Sequence, residues 1–185
     1  MPTGERRVAW DVDAYRELVR AACFVCEMLA GNPAYPHHIA YRDSDVVVFL
    51  SRFPWMAGHV LVAPVTHREQ VVGDFTTDEY LALQRIVHVV GQALVDLVPT
   101  ERLYVLSLGS QQGNRHVHWH LVPLPPGVPY EQQQIAALTS DRGYALVNPE
   151  RMAELAAGIG AGLSRADARS DALPAADEGE ASFPA

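Results

Sequence analysis

Apolar positions along the chain change their spacing several times, and each change marks an element. Tyr15, Leu18 and Val19 recur at helical spacing among charged residues, and Asp11 stands where a cap belongs, which predicts a helix to about Ala22. A short helical stretch through Met28 and Leu29 is stopped by Gly31-Asn32-Pro33. Strands are then expected at 38–42 and 46–50, turning at Asp43-Ser44, and, after a loop with Pro54 and Gly58, at 59–63, closed by Pro64. Thr76 and Glu79 have capping-box spacing, and Tyr80, Leu83, Val87, Val90, Leu94 and Leu97 mark the longest helix, ending near Pro99. Strands at 103–108 and 115–122 follow, with a Gly/Ser/Gln turn between them. Asn148-Pro149 opens a last helix to about Leu163, weakened by three internal glycines. From Ser164 onward, small and acidic residues predict a disordered tail. Strands, one long helix, then strands again with hairpin-length connections predict an α+β fold with an antiparallel sheet.

Composition narrows the function classes. The 185 residues are 49% hydrophobic and 19% charged, enough apolar material for one domain with a sizeable core. Fourteen basic residues against 22 acidic ones leave a net charge of −8, which argues against tracking nucleic acid phosphates or an anionic membrane surface. No apolar stretch reaches the ~18–20 residues of a membrane span, and the first residues, Met1 to Arg7, lead into a charged periodic segment rather than a signal-peptide core. A cytoplasmic location is therefore expected. Cys23 and Cys26, spaced Cys-x-x-Cys, are the two cysteines. They fit half a metal site or a redox couple better than a disulfide framework.

The chemistry concentrates between Gln111 and Pro123, where His116, His118 and His120 alternate with Val117, Trp119 and Leu121. On a strand, alternate side chains share a face, so the three imidazoles would project together, roughly 6.5–7 Å apart, with the apolar set turned to a core or subunit contact. Such a face suits two chemistries. Imidazoles can ligate a metal, or one can act as nucleophile while its neighbours handle phosphate and protons. Spacing alone leaves both open.

Four motifs in order carry a resemblance to a known family. His116 to Val122 matches the His-φ-His-φ-His-φ-φ run of the histidine triad (HIT) superfamily. Upstream stand Phe49-Leu50-Ser51-Arg52-Phe53-Pro54, Gly58-His59-Val60-Leu61-Val62-Ala63-Pro64 with His67 after it, and Cys23-Phe24-Val25-Cys26, as in the family's zinc-containing branch. The chain resembles the family over residues 23–125, with residues 1–22 as an N-terminal helical extension, 126–163 as a C-terminal extension and 164–185 as the tail. The resemblance implies a sheet of about five strands with one long helix. It also implies a nucleotide hydrolase working through a nucleotidyl-histidine intermediate on dinucleoside polyphosphates or nucleoside phosphoramidates. A nucleotidyltransferase or phosphorylase using the same intermediate, and a nucleotide-binding scaffold, are the alternatives.

Residue by residue, the resemblance makes His118 the nucleophile and places His120 at the phosphate or leaving-group oxygen. Gln111, Gln112, Gly113 and Asn114 become phosphate-loop donors, and Ser51 takes the ribose position. It assigns a structural zinc to Cys23, Cys26, His67 and His116, a closed Cys₂His₂ set, and implies a homodimer. His59, from the Gly-His motif, could support the site. The chain departs from the family pattern at Ser51, where Asp or Asn is usual, at Val65 and Leu124, where basic residues are frequent, and at Gly113-Asn114. These departures bear on the substrate more than on the fold.

Overall fold

The computed structural model describes residues 6–139 and 142–172. A two-residue strand, β1 (Arg7–Val8), is followed by helices α1 (Val12–Ala21) and α2 (Phe24–Leu29). Then come β2 (Ile39–Arg42), β3 (Val46–Leu50), β4 (Val60–Pro64), the long helix α3 (Thr77–Leu97), β5 (Arg102–Ser107) and β6 (Trp119–Leu124). A second two-residue strand, β7 (Tyr144–Ala145), and helix α4 (Pro149–Ala172) complete the described chain. Five strands form one sheet in the order β2-β3-β4-β6-β5, antiparallel throughout. The α+β class and the antiparallel sheet expected from the sequence are both present.

Every residue of β3, β4 and β6 is buried, so the sheet is covered on both sides. Val46, Val48, Leu50, Val60, Val62, Trp119 and Leu121 face Leu83, Val87, Val90 and Leu94 of α3 and Leu155, Ile159 and Leu163 of α4. Residues of the opposite parity, Val47, Phe49, Leu61 and Ala63, meet Val25 and Met28 of α2. Each fully buried Val or Leu contributes about 1.5–3 kcal/mol. Asp11 caps α1 through the Ala14 N–H, and Thr76 with Glu79 forms the expected capping box on α3.

Three local expectations are corrected. The strand placed at 115–122 begins its ladder only at Trp119. Residues 116–118 run ahead of it, with the Val117 N–H donating to the Arg68 carbonyl at 2.7 Å instead of to a neighbouring strand. The last helix passes Leu163 and continues to Ala172, so 164–172 is helical where a disordered tail was expected, and the rest of that expected tail, 173–185, lies outside the described residues. The helix's glycines are close-approach positions. A Cβ at Gly158 would come within 2.8 Å of Leu97, one at Gly160 within 2.5 Å of the Ala40 carbonyl oxygen, and one at Gly162 within 2.5 Å of Ala93. Lost helix propensity is thereby exchanged for tight seating against α3 and β2.

The third correction is at the N-terminus, where the sequence showed no strand. β1 pairs with β7 through Arg7↔Ala145 and Val8↔Tyr144. The Arg7 guanidinium donates to the carbonyls of Arg142, Gly143 and Trp55 at 2.8–3.0 Å. This clip fastens the N-terminal segment beside the site. No helix among the described residues is long and apolar enough to cross a membrane.

Candidate active site and metal centre

β6 and the segment before it lay out the histidines, and the partner of each ring's second nitrogen fixes what the first can do. His118 Nδ1–H donates to the His116 carbonyl at 2.7 Å, which leaves His118 Nε2 with a free lone pair. His120 lies on β6 opposite Leu61 of β4 and Leu106 of β5. His59 stands immediately before β4. The Trp55 backbone N–H donates to His59 Nδ1 at 3.2 Å, so His59 carries its proton on Nε2. That proton is donated to His120 Nδ1 at 2.9 Å, so His120 in turn holds its own proton on Nε2. The Trp55 ring stacks on both imidazoles, with centroids 4.8 Å from His59 and 4.9 Å from His120.

Burial keeps these rings neutral. It pushes His59 down to about 3, with the charge of His118 as the second cause. His120 is pushed down to about 2, by burial first and then by His59 and His118. His118 is also lowered by burial, against the opposing hydrogen bond to the His116 carbonyl. Near pH 7 the cluster therefore offers one bare nitrogen, on His118, and one N–H donor, on His120. That pair is suited to nucleophilic attack and to stabilising or protonating an oxygen.

The first triad histidine faces elsewhere. His116 Nε2–H donates to the Pro64 carbonyl at 2.9 Å, and Nδ1 lies 3.4 Å from Cys23 Sγ and 3.7 Å from Cys26 Sγ. His67 Nδ1 is 3.3 Å from Cys26 Sγ, while its Nε2–H is held by Glu69 Oε1 at 3.1 Å. The four ligating atoms lie within 4.8 Å of one another. Tetrahedral zinc at its usual bond lengths sets sulfur-to-nitrogen edges of ~3.6 Å, so the residues fit the ion. Both ring orientations are fixed by second partners, as at metal sites generally. Cys23 caps α2, accepting from the Cys26 N–H at 3.4 Å, and this turn brings both sulfurs to one side. Burial first, and then Cys23, push the Cys26 thiol up to about 12. Burial holds His116 down to about 4, as the neutral ring a metal requires.

A cavity of ≈ 250 Å³ opens onto the other cluster. Its floor is His59, Leu61, His118 and His120, and Ser51, Phe24, Phe53 and Trp55 form its sides. Ser51 is buried in this wall, its Oγ accepting from the Phe53 N–H at 3.3 Å. Of the expected phosphate-loop residues, Asn114 lines the cavity. It has a left-handed backbone (φ 55°), and its side-chain amide donates to the Tyr15 hydroxyl at 2.7 Å. Gly113 lies beneath Val19, while Gln111 and Gln112 are exposed at the loop tip. Sequence reasoning missed Trp10, Tyr15, Leu18, Val19 and His37, all of which line the cavity. Trp55, stacked on both imidazoles, lines it as well. The available signals were the strong amphipathicity of 12–21 and the position of Trp55 four residues before His59.

A Cys₂His₂ cluster and a pair of neutral imidazoles, joined by one extended segment on an antiparallel sheet, define a histidine-centred α+β protein. The chain belongs to the HIT family: a family model described as HIT domain matches residues 32–126. An uncharacterized HIT-like protein of Saccharolobus solfataricus is 30% identical over 104 residues, covering 55% of this chain and 73% of the relative. Among solved structures, a hypothetical histidine triad nucleotide-binding protein from Sulfolobus tokodaii superposes with TM-score 0.59 at 22% identity, over 77% of this chain and 93% of that one. A Zn-bound histidine triad family protein from Mycobacterium smegmatis also gives 0.59, at 21% identity, over 81% and 99% of the two chains. Family membership supports a nucleotide-binding hydrolase or transferase, and the Cys-x-x-Cys cluster fits the zinc branch.

Proposed function

We propose that this protein is a nucleotide hydrolase that cleaves at the α-phosphate through a nucleotidyl-His118 intermediate, acting on dinucleoside polyphosphates or nucleoside phosphoramidates. The observation that carries this is the hydrogen bond from His118 Nδ1–H to the His116 carbonyl at 2.7 Å, which fixes the tautomer whose Nε2 can attack. In the first step that nitrogen bonds to phosphorus as the bond from phosphorus to the leaving group breaks. His120 Nε2–H faces the same cavity, supplying a donor to the developing negative charge or to the departing atom. In the second step water adds to phosphorus, the P–N bond breaks, and the nucleoside monophosphate leaves with His118 restored. Trp55 and His59 hold His120 in the donor tautomer. Ser51 faces the sugar.

Cys23, Cys26, His67 and His116 would hold a zinc ion that, with four protein ligands and no open position, supplies folding energy and rigidity. We infer a homodimer built across the edge strand β5, where Val105 is about half exposed next to the exposed Val95 of α3. The test is a single-turnover reaction with α-phosphate-labelled substrate, quenched and examined for an acid-labile adduct on the protein. The adduct is expected in the wild type and absent in His118→Ala. Turnover without any adduct overturns the covalent mechanism. Release of the adduct by phosphate rather than water makes the enzyme a phosphorylase of the same family.

A further inference from the structure

Helix α1 lies outside the family-matched residues 32–126, yet it closes the cavity that holds His118 and His120. Tyr15, Leu18 and Val19 turn into the cavity, while Asp13, Arg16, Glu17 and Arg20 are exposed. No residue of α1 is itself buried, so the helix rests on the site and is not part of the core. Specific contacts seat it. Tyr15 Oη accepts from the Asn114 amide at 2.7 Å. Val19 lies so close to Gly113 that a Cβ there would come within 2.9 Å of Val19 Cγ2. Trp10, just before the helix, meets the Tyr15 ring edge-on at 4.9 Å and the Tyr144 ring at 6.0 Å.

Displacement at phosphorus is in line, so the leaving group departs on the side opposite His118 Nε2. Tyr15, Leu18 and Val19 of α1 line the cavity it departs into. The cavity's ≈ 250 Å³ falls just below the ~300–1,000 Å³ of most small-molecule sites, room for one nucleoside phosphate. A second nucleoside, tethered through further phosphates, would have to displace Tyr15 and Val19 from Asn114 and Gly113. We infer that α1 is a roof that sets the size of the leaving group, with Tyr15 as its specificity-determining residue. The substrate class is then a nucleoside 5′-phosphate bearing a small group, such as an amine, in preference to a dinucleoside polyphosphate. This rests on the nucleotide-hydrolase reading above and narrows it.

The experiment compares kcat/KM for adenosine 5′-phosphoramidate and diadenosine tetraphosphate, and for the guanosine pair, in wild type, Tyr15→Ala, Tyr15→Phe and Val19→Ala. The wild type is expected to favour the phosphoramidate at least tenfold. Tyr15→Ala is expected to shrink that ratio at least fivefold through a lower KM for the dinucleotide, with Tyr15→Phe, which loses only the hydroxyl, in between. Val19→Ala opens the roof on the Gly113 side and supplies the same readout if Tyr15→Ala does not fold. A wild-type ratio near one, or a ratio that neither Tyr15→Ala nor Val19→Ala moves, overturns the roof. If His118-dependent adduct forms on both compounds at equal rates, the roof fails while the hydrolase reading stands. If no adduct forms on either, the underlying reading fails first.

Discussion

His116 and His120 stand four residues apart in one extended segment, both buried and both held neutral, and their rings are used in opposite ways. At His116, Nε2–H is spent on the Pro64 carbonyl and Nδ1 faces two sulfurs at 3.4 and 3.7 Å. At His120, Nδ1 accepts from His59 at 2.9 Å, so its N–H is the nitrogen left for the cavity. Neither charge nor burial separates the two, since burial lowers both. The difference lies in what occupies the second nitrogen. Imidazole spacing sets where rings can stand, and their second partners set what they can do.

The strongest way to break this comparison is to remove a residue at each end. His118→Ala is expected to lose on the order of 10³-fold or more in turnover while keeping one zinc per chain. Cys26→Ser is expected to lose the zinc and at least about 3 kcal/mol of stability, an approximate fall of 6–12 °C in Tm for a chain of this size, with activity surviving in part. Metal analysis, melting curves and steady-state rates on both variants decide it. Zinc loss in His118→Ala would erase the distinction between the two ends.

A second, smaller effect sharpens the cavity end. His59 and His120 hold pKa values near 3 and 2 in the folded protein, against about 6.5 when unfolded. Below about pH 6.5 the unfolded chain therefore binds more protons, and stability falls as pH drops from there toward 3. The groups facing the pair are the His118 ring, 4.7 Å from His120, and the uncharged Trp55. Among the described residues no carboxylate hydrogen-bonds to either ring. Urea midpoints at pH 7.5 and 5 should differ more in the wild type than in His59→Asn. An identical difference in both would mean that this pair does not set the acid limb.

Much of the fold was legible because its strands are buried and its turns carry strong local chemistry. Residues 46–50 read correctly as a strand from a run of Val, Val, Val, Phe and Leu, and Thr76-Glu79 marked the start of α3. The four sulfur and imidazole positions come together as the family resemblance implied. Three features stayed hidden for physical reasons. The β1–β7 clip joins two-residue strands whose partners are 136 and 138 residues apart, and no periodicity exists over two residues. Alternation announced an extended segment at 115–118 but could not say that its partner is a loop carbonyl, Arg68, and not a strand. The glycines of α4 looked like helix weakness because the closeness of Leu97, Ala40 and Ala93 exists only after folding. The roles of Tyr15 and Asn114 depend on a contact between segments 99 residues apart, which spacing does not encode.

The smallest expected effect concerns the cavity wall. Ser51 offers one short hydroxyl, already accepting from the Phe53 N–H, so it is less able to bridge two ribose hydroxyls. Discrimination between ribose and 2′-deoxyribose substrates is expected to stay under about tenfold, ~1.4 kcal/mol, and Ser51→Asn is expected to raise it. Matched specificity constants for the two sugars measure this directly. Strong ribose selectivity unchanged by Ser51→Ala would assign the sugar to another group.

His116 brings its carbonyl as well as its ring to this site. The ring faces the thiols, and the carbonyl oxygen, a few bonds away, receives the proton that orients His118 at 2.7 Å. In mechanical terms the residue is an axle with a clamp at one end and a pointer at the other. A rotation about its N–Cα bond carries both together. Slack among the sulfurs becomes angular play in the attacking nitrogen, so the grip of the metal end and the aim of the nucleophile cannot be tuned one at a time.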